Sequence, residues 1–140
     1  KSLSRLENVL ARTEIVTSGF SEGIMCNYNK QVVCGTQSNV FIIKDKRVIT
    51  PKLDLSGVEG TTRYQLMSFL PDLGYEVEEA ELTLEQLYQA DELFFSNAVR
   101  GIQPVNKFLN TKFCCGQTKS IHQAWLSWQF KNAINIQEFV

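Results

Sequence analysis

The sequence predicts one mixed α/β domain, and three observations carry that prediction. Short apolar runs come in pairs around charged or Asn-containing turns, as hairpins require. Between the pairs lie segments whose apolar residues recur every three or four positions, the spacing of a helix buried on one face. The chain has 140 residues, 44% of them hydrophobic, which is enough for a single core.

Taken in order, Leu3, Leu6, Val9 and Leu10 fall at helical spacing and predict an amphipathic helix over the first dozen residues, starting at or just after Lys1. Ile24 to Asn27 and Gln31 to Val33 read as two strands around Tyr28-Asn29-Lys30. Val40 to Ile43 and Val48 to Thr50 form a second pair around Lys44-Asp45-Lys46-Arg47, ended by Pro51, which has no N–H for a ladder. After the glycine-containing loop Gly57-Val58-Glu59-Gly60, Thr61 or Thr62 is expected to cap a helix carrying Leu66, Phe69, Leu70 and Leu73. Pro71 should distort its last turn and Gly74 should close it.

Tyr75 and Val77 alternate with acids, as a half-buried strand does. Thr83 and Gln86 have the spacing of a capping box ahead of Leu84, Leu87 and Ala90. Leu93 to Ser96 and Ile102 to Val105 are short extended pieces. Ile121, Ala124, Trp125 and Trp128 share one face of a final helix capped near Thr118. Interleaved strands and helices with no repeat and no low-complexity linker make 1–140 one domain.

Composition narrows the function. A formal net charge of −1 offers no basic footprint for nucleic acid or an anionic membrane. No apolar run is long enough to span a bilayer. Cys26, Cys34, Cys114 and Cys115 form no C-x-x-C pair, and His122 is the sole histidine, which argues against a zinc site. Free thiols in a reducing cytoplasm are the expectation.

One chemical signal stands out. Gly57-x-x-Gly60-Thr61-Thr62 puts glycines and hydroxyls directly before a helix, where unpaired N–H groups and the dipole favour an anion. By itself that pattern also describes an ordinary loop before a helix.

Five stretches in order then resemble the fold-type IV pyridoxal-phosphate enzymes, the branched-chain and D-amino-acid aminotransferase-like family. They are Lys1-Ser2-Leu3-Ser4-Arg5-Leu6-Glu7, Gly35 to Phe41 ending in Asn39-Val40-Phe41, Thr50-Pro51 with Gly57 to Arg63, Ala90 to Ala98 with Gly101 to Val105, and Gly116 to Lys119. The Arg-Leu-Glu continuation after Lys1 is similar to the family's lyase branch, whereas Gly116 to Lys119 is more similar to the aminotransferases.

The resemblance implies a fold and a site. The fold would be the larger, C-terminal domain of these enzymes, with strands and hairpins in a barrel-like α/β arrangement and packed helices. A smaller N-terminal domain, absent from this chain, would precede it. Lys1 would hold pyridoxal 5'-phosphate covalently and move the Cα proton. Thr61 and Thr62 would cup its phosphate, Val58 would pack on the ring, and Ala98 would border the cofactor. Asn97 would touch the substrate, although Asn is also a common turn residue. Arg63 reads as structural, pairing near the helix start.

The activity so implied is conversion of 4-amino-4-deoxychorismate to 4-aminobenzoate and pyruvate, on the way to folate, by a cytoplasmic homodimer. The alternative is transamination of branched-chain or D-amino acids. One position departs from the family: Cys34 stands where a Glu usually faces the cofactor's ring nitrogen. A neutral thiol cannot keep that nitrogen protonated as a carboxylate does. That change disfavours transamination more than elimination, and a cofactor-binding protein without catalysis is the further alternative.

Overall fold

The computed structural model describes residues 5–132. Lys1, with the first residues of the predicted N-terminal helix, lies outside them. The helix itself, α1, spans Leu6–Thr17. Its predicted apolar face is not its packed face. Leu6, Val9 and Leu10 are each more than half exposed, while Asn8, Ala11 and Ile15 turn towards the domain. Spacing predicted a helix but not which side meets the core.

The centre is a five-stranded sheet. β3 (Asn39–Lys44) and β4 (Arg47–Pro51) are the predicted second hairpin, with Asp45 at φ 54° in its turn. β4 then pairs in parallel with β5 (Glu76–Ala80). The crossover between them is α2 (Thr61–Phe69) followed by a 3-10 turn, Leu70–Leu73, with Pro71 at its start and Gly74 closing it at φ 80°. On the other side β3 pairs antiparallel with β7 (Glu92–Asn97), and β7 with β8 (Gly101–Val105).

A smaller sheet joins β1 (Ile24–Cys26), β2 (Gln31–Gly35) and β6 (Leu82–Thr83). β6 leads into the short α3 (Leu84–Tyr88), whose Thr83–Gln86 capping box is present as the spacing predicts. A minor ribbon, β9 (Lys107–Phe108) with β10 (Thr111–Lys112), precedes α4 (Gly116–Lys131). The expected barrel-like closure is absent among the described residues: the three sheets stay open. The five-stranded sheet ends on β5, edged with exposed acids, and on β8, where Pro104 cannot donate to a further strand.

β3 is buried on both faces and feeds two cores. Phe41 and Ile43 face α2 and α4, where Phe94, Leu66, Phe69, Ile121 and Trp125 complete the packing. Phe41 and Phe94, opposite one another across the strands, stack with centroids 4.8 Å apart. Val40 and Ile42 face the small sheet and α3, against Val32, Leu82, Leu87, Leu93 and Phe95.

Two helix starts differ from expectation. Neither Thr61 nor Thr62 caps α2; the cap position is Gly60, and no side chain bonds the first turn. Nor does Thr118 cap α4 from within. The buried carboxylate of Glu92, on β7, accepts from the N–H groups of Gln117 and Thr118 at 2.8 Å each and from the Thr118 hydroxyl at 2.7 Å. A long-range cap of this kind leaves no local spacing to read. Because several charge-assisted bonds converge on it, Glu92→Leu should lower stability by roughly 2–3 kcal/mol, read as a fall in the urea midpoint. An unchanged midpoint would show that the cap adds nothing.

Candidate active site

Six short stretches of chain surround a cleft of about 620 Å3. Arg5, Glu7 and Asn8 come from the start of α1; Met25 to Asn27 and Val33 to Gly35 from β1 and β2; Gln37 to Asn39 from the turn into β3; Ser56 to Thr61 from the loop entering α2; and Asn97 and Ala98 from the β7–β8 turn. These pieces reach from position 5 to position 98 of the chain. They come together because β2, β3, α2 and β7 all have an end at the same edge of the fold.

Among the predicted site residues, Cys34, Val58, Thr61, Asn97 and Ala98 line this cleft, whereas Thr62 is buried in the first turn of α2 and does not. Lys1 is outside the described residues. Asn97 is tied to its turn: its Oδ1 accepts from the N–H of Val99 at 3.0 Å and of Arg100 at 2.7 Å, and its Nδ2 donates weakly to the Gln37 carbonyl at 3.4 Å. Its backbone role therefore occupies most of its polar capacity.

The first turn of α2 borders the cleft through Gly60 and Thr61. Among the described residues the N–H groups of Thr61, Thr62 and Arg63 have no hydrogen-bond acceptor, and the first helical bond runs from Tyr64 to Gly60. Gly57, at φ +99°, turns the loop in a conformation side chains resist, and a Cβ on Gly60 would collide with Asn39 Oδ1. Unpaired donors, a helix dipole and a bare Cα form a cradle that fits a phosphate. Arg63 is not part of it. Buried behind the helix, it donates to the Pro51 carbonyl at 3.1 Å and pairs with Glu79 at 2.9 Å, the structural role its position implied.

Cys34 lies on β2 opposite Met25, and its thiol is pushed up to about 11 by burial, only partly offset by the Arg5 guanidinium. It is neutral across the physiological range. A carboxylate partner for a ring nitrogen is thus missing from the position where the resemblance would place one.

Two residues outside the predicted set also shape the cleft. Glu22 accepts from the N–H of Thr36 at 2.9 Å, from the Thr36 hydroxyl and from the Ser38 hydroxyl at 2.8 Å, pinning the turn after Cys34. Asn39 donates from Nδ2 to the Val58 carbonyl at 2.8 Å. Asn39 is visible in the sequence as part of a motif, whereas nothing local marks Glu22, 14 positions from Thr36. No group of three or more His, Cys, Asp or Glu among the described residues could hold a metal ion. All four cysteines are free, as expected, and no described helix is long and apolar enough to cross a membrane.

A cleft at the sheet edge, bordered by a helix start with unpaired donors, suits a ligand that carries a phosphate. The family model for amino-transferase class IV matches residues 1–108, and the chain belongs to that family, the fold-type IV pyridoxal-phosphate enzymes. Its relatives include an aminodeoxychorismate lyase of Vibrio harveyi, 39% identical over 106 residues, which cover 76% of this chain and 39% of that protein. Among solved structures, a branched-chain aminotransferase from Thermoproteus uzoniensis superposes with a TM-score of 0.83 at 33% identity, covering 86% of this chain and 41% of the other. A T.th. branched-chain amino acid aminotransferase in complex with N-(5'-phosphopyridoxyl)-L-glutamate superposes at 0.80 with 26% identity, covering 87% and 42%. The chain spans about two fifths of the length of the relatives it matches. The family and that complex imply pyridoxal phosphate as cofactor.

With its thiol protonated below about pH 11, Cys34 should react slowly with iodoacetamide at pH 8. Its alkylation rate should rise about tenfold per pH unit up to pH 10, following the thiolate fraction. Peptide mapping after timed labelling checks this; a rate already level at pH 8 would contradict the neutral thiol.

Proposed function

We propose that the protein carrying this chain is a pyridoxal-phosphate-dependent lyase that converts 4-amino-4-deoxychorismate to 4-aminobenzoate and pyruvate. The observation that carries the choice of reaction is the neutral Cys34 thiol in the cleft wall. The 39% identity to an aminodeoxychorismate lyase supports it.

In this reading Lys1 holds the cofactor and its amine takes the proton from the substrate carbon that bears the amino group. The N–H groups of Thr61 and Thr62 hold the phosphate, with the α2 dipole behind them. Val58 packs on one face of the ring, and Ala98 borders the other side of the pocket with Asn97 nearest the substrate. When bound, pyridoxal phosphate stabilises negative charge at the carbon losing its proton. Cys34 offers the ring nitrogen only a weak neutral partner, so less charge can be drawn that far. Transamination depends on that withdrawal. Loss of the enolpyruvyl group from the substrate leaves an aromatic ring, and aromatisation drives the step from the substrate's side.

Transamination of branched-chain or D-amino acids is the second reading, supported by solved branched-chain aminotransferases that superpose on this chain as well as solved lyases do. Both readings carry a homodimer and a smaller N-terminal domain beyond this chain.

Product analysis separates the two. The full-length protein with 4-amino-4-deoxychorismate should release 4-aminobenzoate and pyruvate in equal amounts. Amino transfer to 2-oxoglutarate with no aromatic amine would sink the lyase reading, and bound cofactor with neither product would leave a non-catalytic binder. Borohydride reduction should fix the pyridoxyl group on Lys1, and an adduct on Lys44 or Lys107 would refute that assignment. In Cys34→Glu, a carboxylate paired with a protonated ring nitrogen should raise any transamination side activity at least about tenfold and change elimination less. Equal effects on both would remove the argument from Cys34.

A further inference from the structure

We propose that Asn39 is the positioning residue that holds the phosphate-binding turn open before any ligand arrives; this rests on the reading of Gly60 to Thr62 as the phosphate cradle. Three observations place it there. Asn39 is 6% exposed, at the first position of β3 and at the edge of the cleft. Its Nδ2 donates to the Val58 carbonyl at 2.8 Å, which anchors the loop Gly57 to Gly60 to the central sheet from 19 positions away. Its Oδ1 lies so close to the Gly60 Cα that any Cβ at residue 60 would strike it.

These contacts act together. Each peptide in a loop can point either its C=O or its N–H at a cavity. By taking the Val58 carbonyl, Asn39 removes a negative dipole from the approach to α2. By packing on Gly60, it fixes the cap residue whose carbonyl starts the helix at Tyr64 and leaves the donors of Thr61 and Thr62 without acceptors. A cradle whose donors are already aligned binds an anion without first ordering the loop. Asn39 is opposite Ser96 in the antiparallel pairing of β3 with β7, so the loop is referenced to the core and not to its own backbone. Asn39 itself touches no reacting atom.

The test compares two probes on the full-length protein: pyridoxal 5'-phosphate and pyridoxal, which lacks the phosphate. Asn39→Asp is the main variant. It keeps the shape, cannot donate to Val58 and adds a negative charge beside the cradle. The dissociation constant for pyridoxal phosphate should rise at least about tenfold, the equivalent of one lost hydrogen bond, while that for pyridoxal stays within about twofold. The second measurement pairs Gly60→Ala with Asn39→Ala. Gly60→Ala should weaken pyridoxal phosphate binding strongly alone and much less in the Asn39→Ala background, where the colliding oxygen is gone. This cycle keeps the test open if Asn39→Asp does not fold. Equal weakening for both probes, no weakening for either, or additive effects in the cycle would overturn the role. A wild type that binds neither probe would instead remove the cofactor reading itself.

Discussion

Everything in this domain is arranged to cover one strand. β3 contributes four consecutive buried apolar residues, Val40 to Ile43, two to each face. Such a strand is stable only if both sides of the sheet are covered. α2 and α4 cover one face, and the small sheet with α3 covers the other. The strand's polar first residue, Asn39, is where the core ends and the cleft begins, so packing and site geometry meet within two adjacent residues.

That arrangement explains why three helix starts are treated in three ways. α3 is capped locally by Thr83 and Gln86. α4 buries Thr118 of its first turn, and the Glu92 carboxylate supplies acceptors there from β7. α2 presents uncapped donors, and it does so at the cleft. Unsatisfied donors are tolerable where solvent or an anion can reach them and costly where neither can.

The electrostatics of the cleft is set by what surrounds Cys34. Burial raises its thiol and the Arg5 guanidinium partly counters that. Glu22 is close by but committed to Thr36 and Ser38, so its charge serves to hold the turn after β2. The cleft wall at this position therefore carries a neutral sulfur, which is the chemical feature that distinguishes this chain's candidate site from a carboxylate-backed one.

Much of the fold was legible in the sequence because its signals are local. Alternation and turn chemistry located both hairpins, the Thr83–Gln86 spacing located a capping box, and Pro71 with Gly74 marked how α2 ends. Five motifs in order pointed to the family, and with it to Cys34, Val58, Thr61, Asn97 and Ala98, which the structure gathers round one cleft. What the sequence could not decide were matters of contact between distant residues. Which face of α1 packs, whether the sheets close, what caps α4, and what pins the loop before α2 depend on side chains 17 to 28 positions apart, such as Asn8 with Met25 and with the Thr36 carbonyl, or Glu92 with Thr118. Periodicity reports how a segment could be buried. Only the tertiary structure determines what it is buried against, because the partner is chosen by the packing of the whole chain and leaves no mark at either position alone.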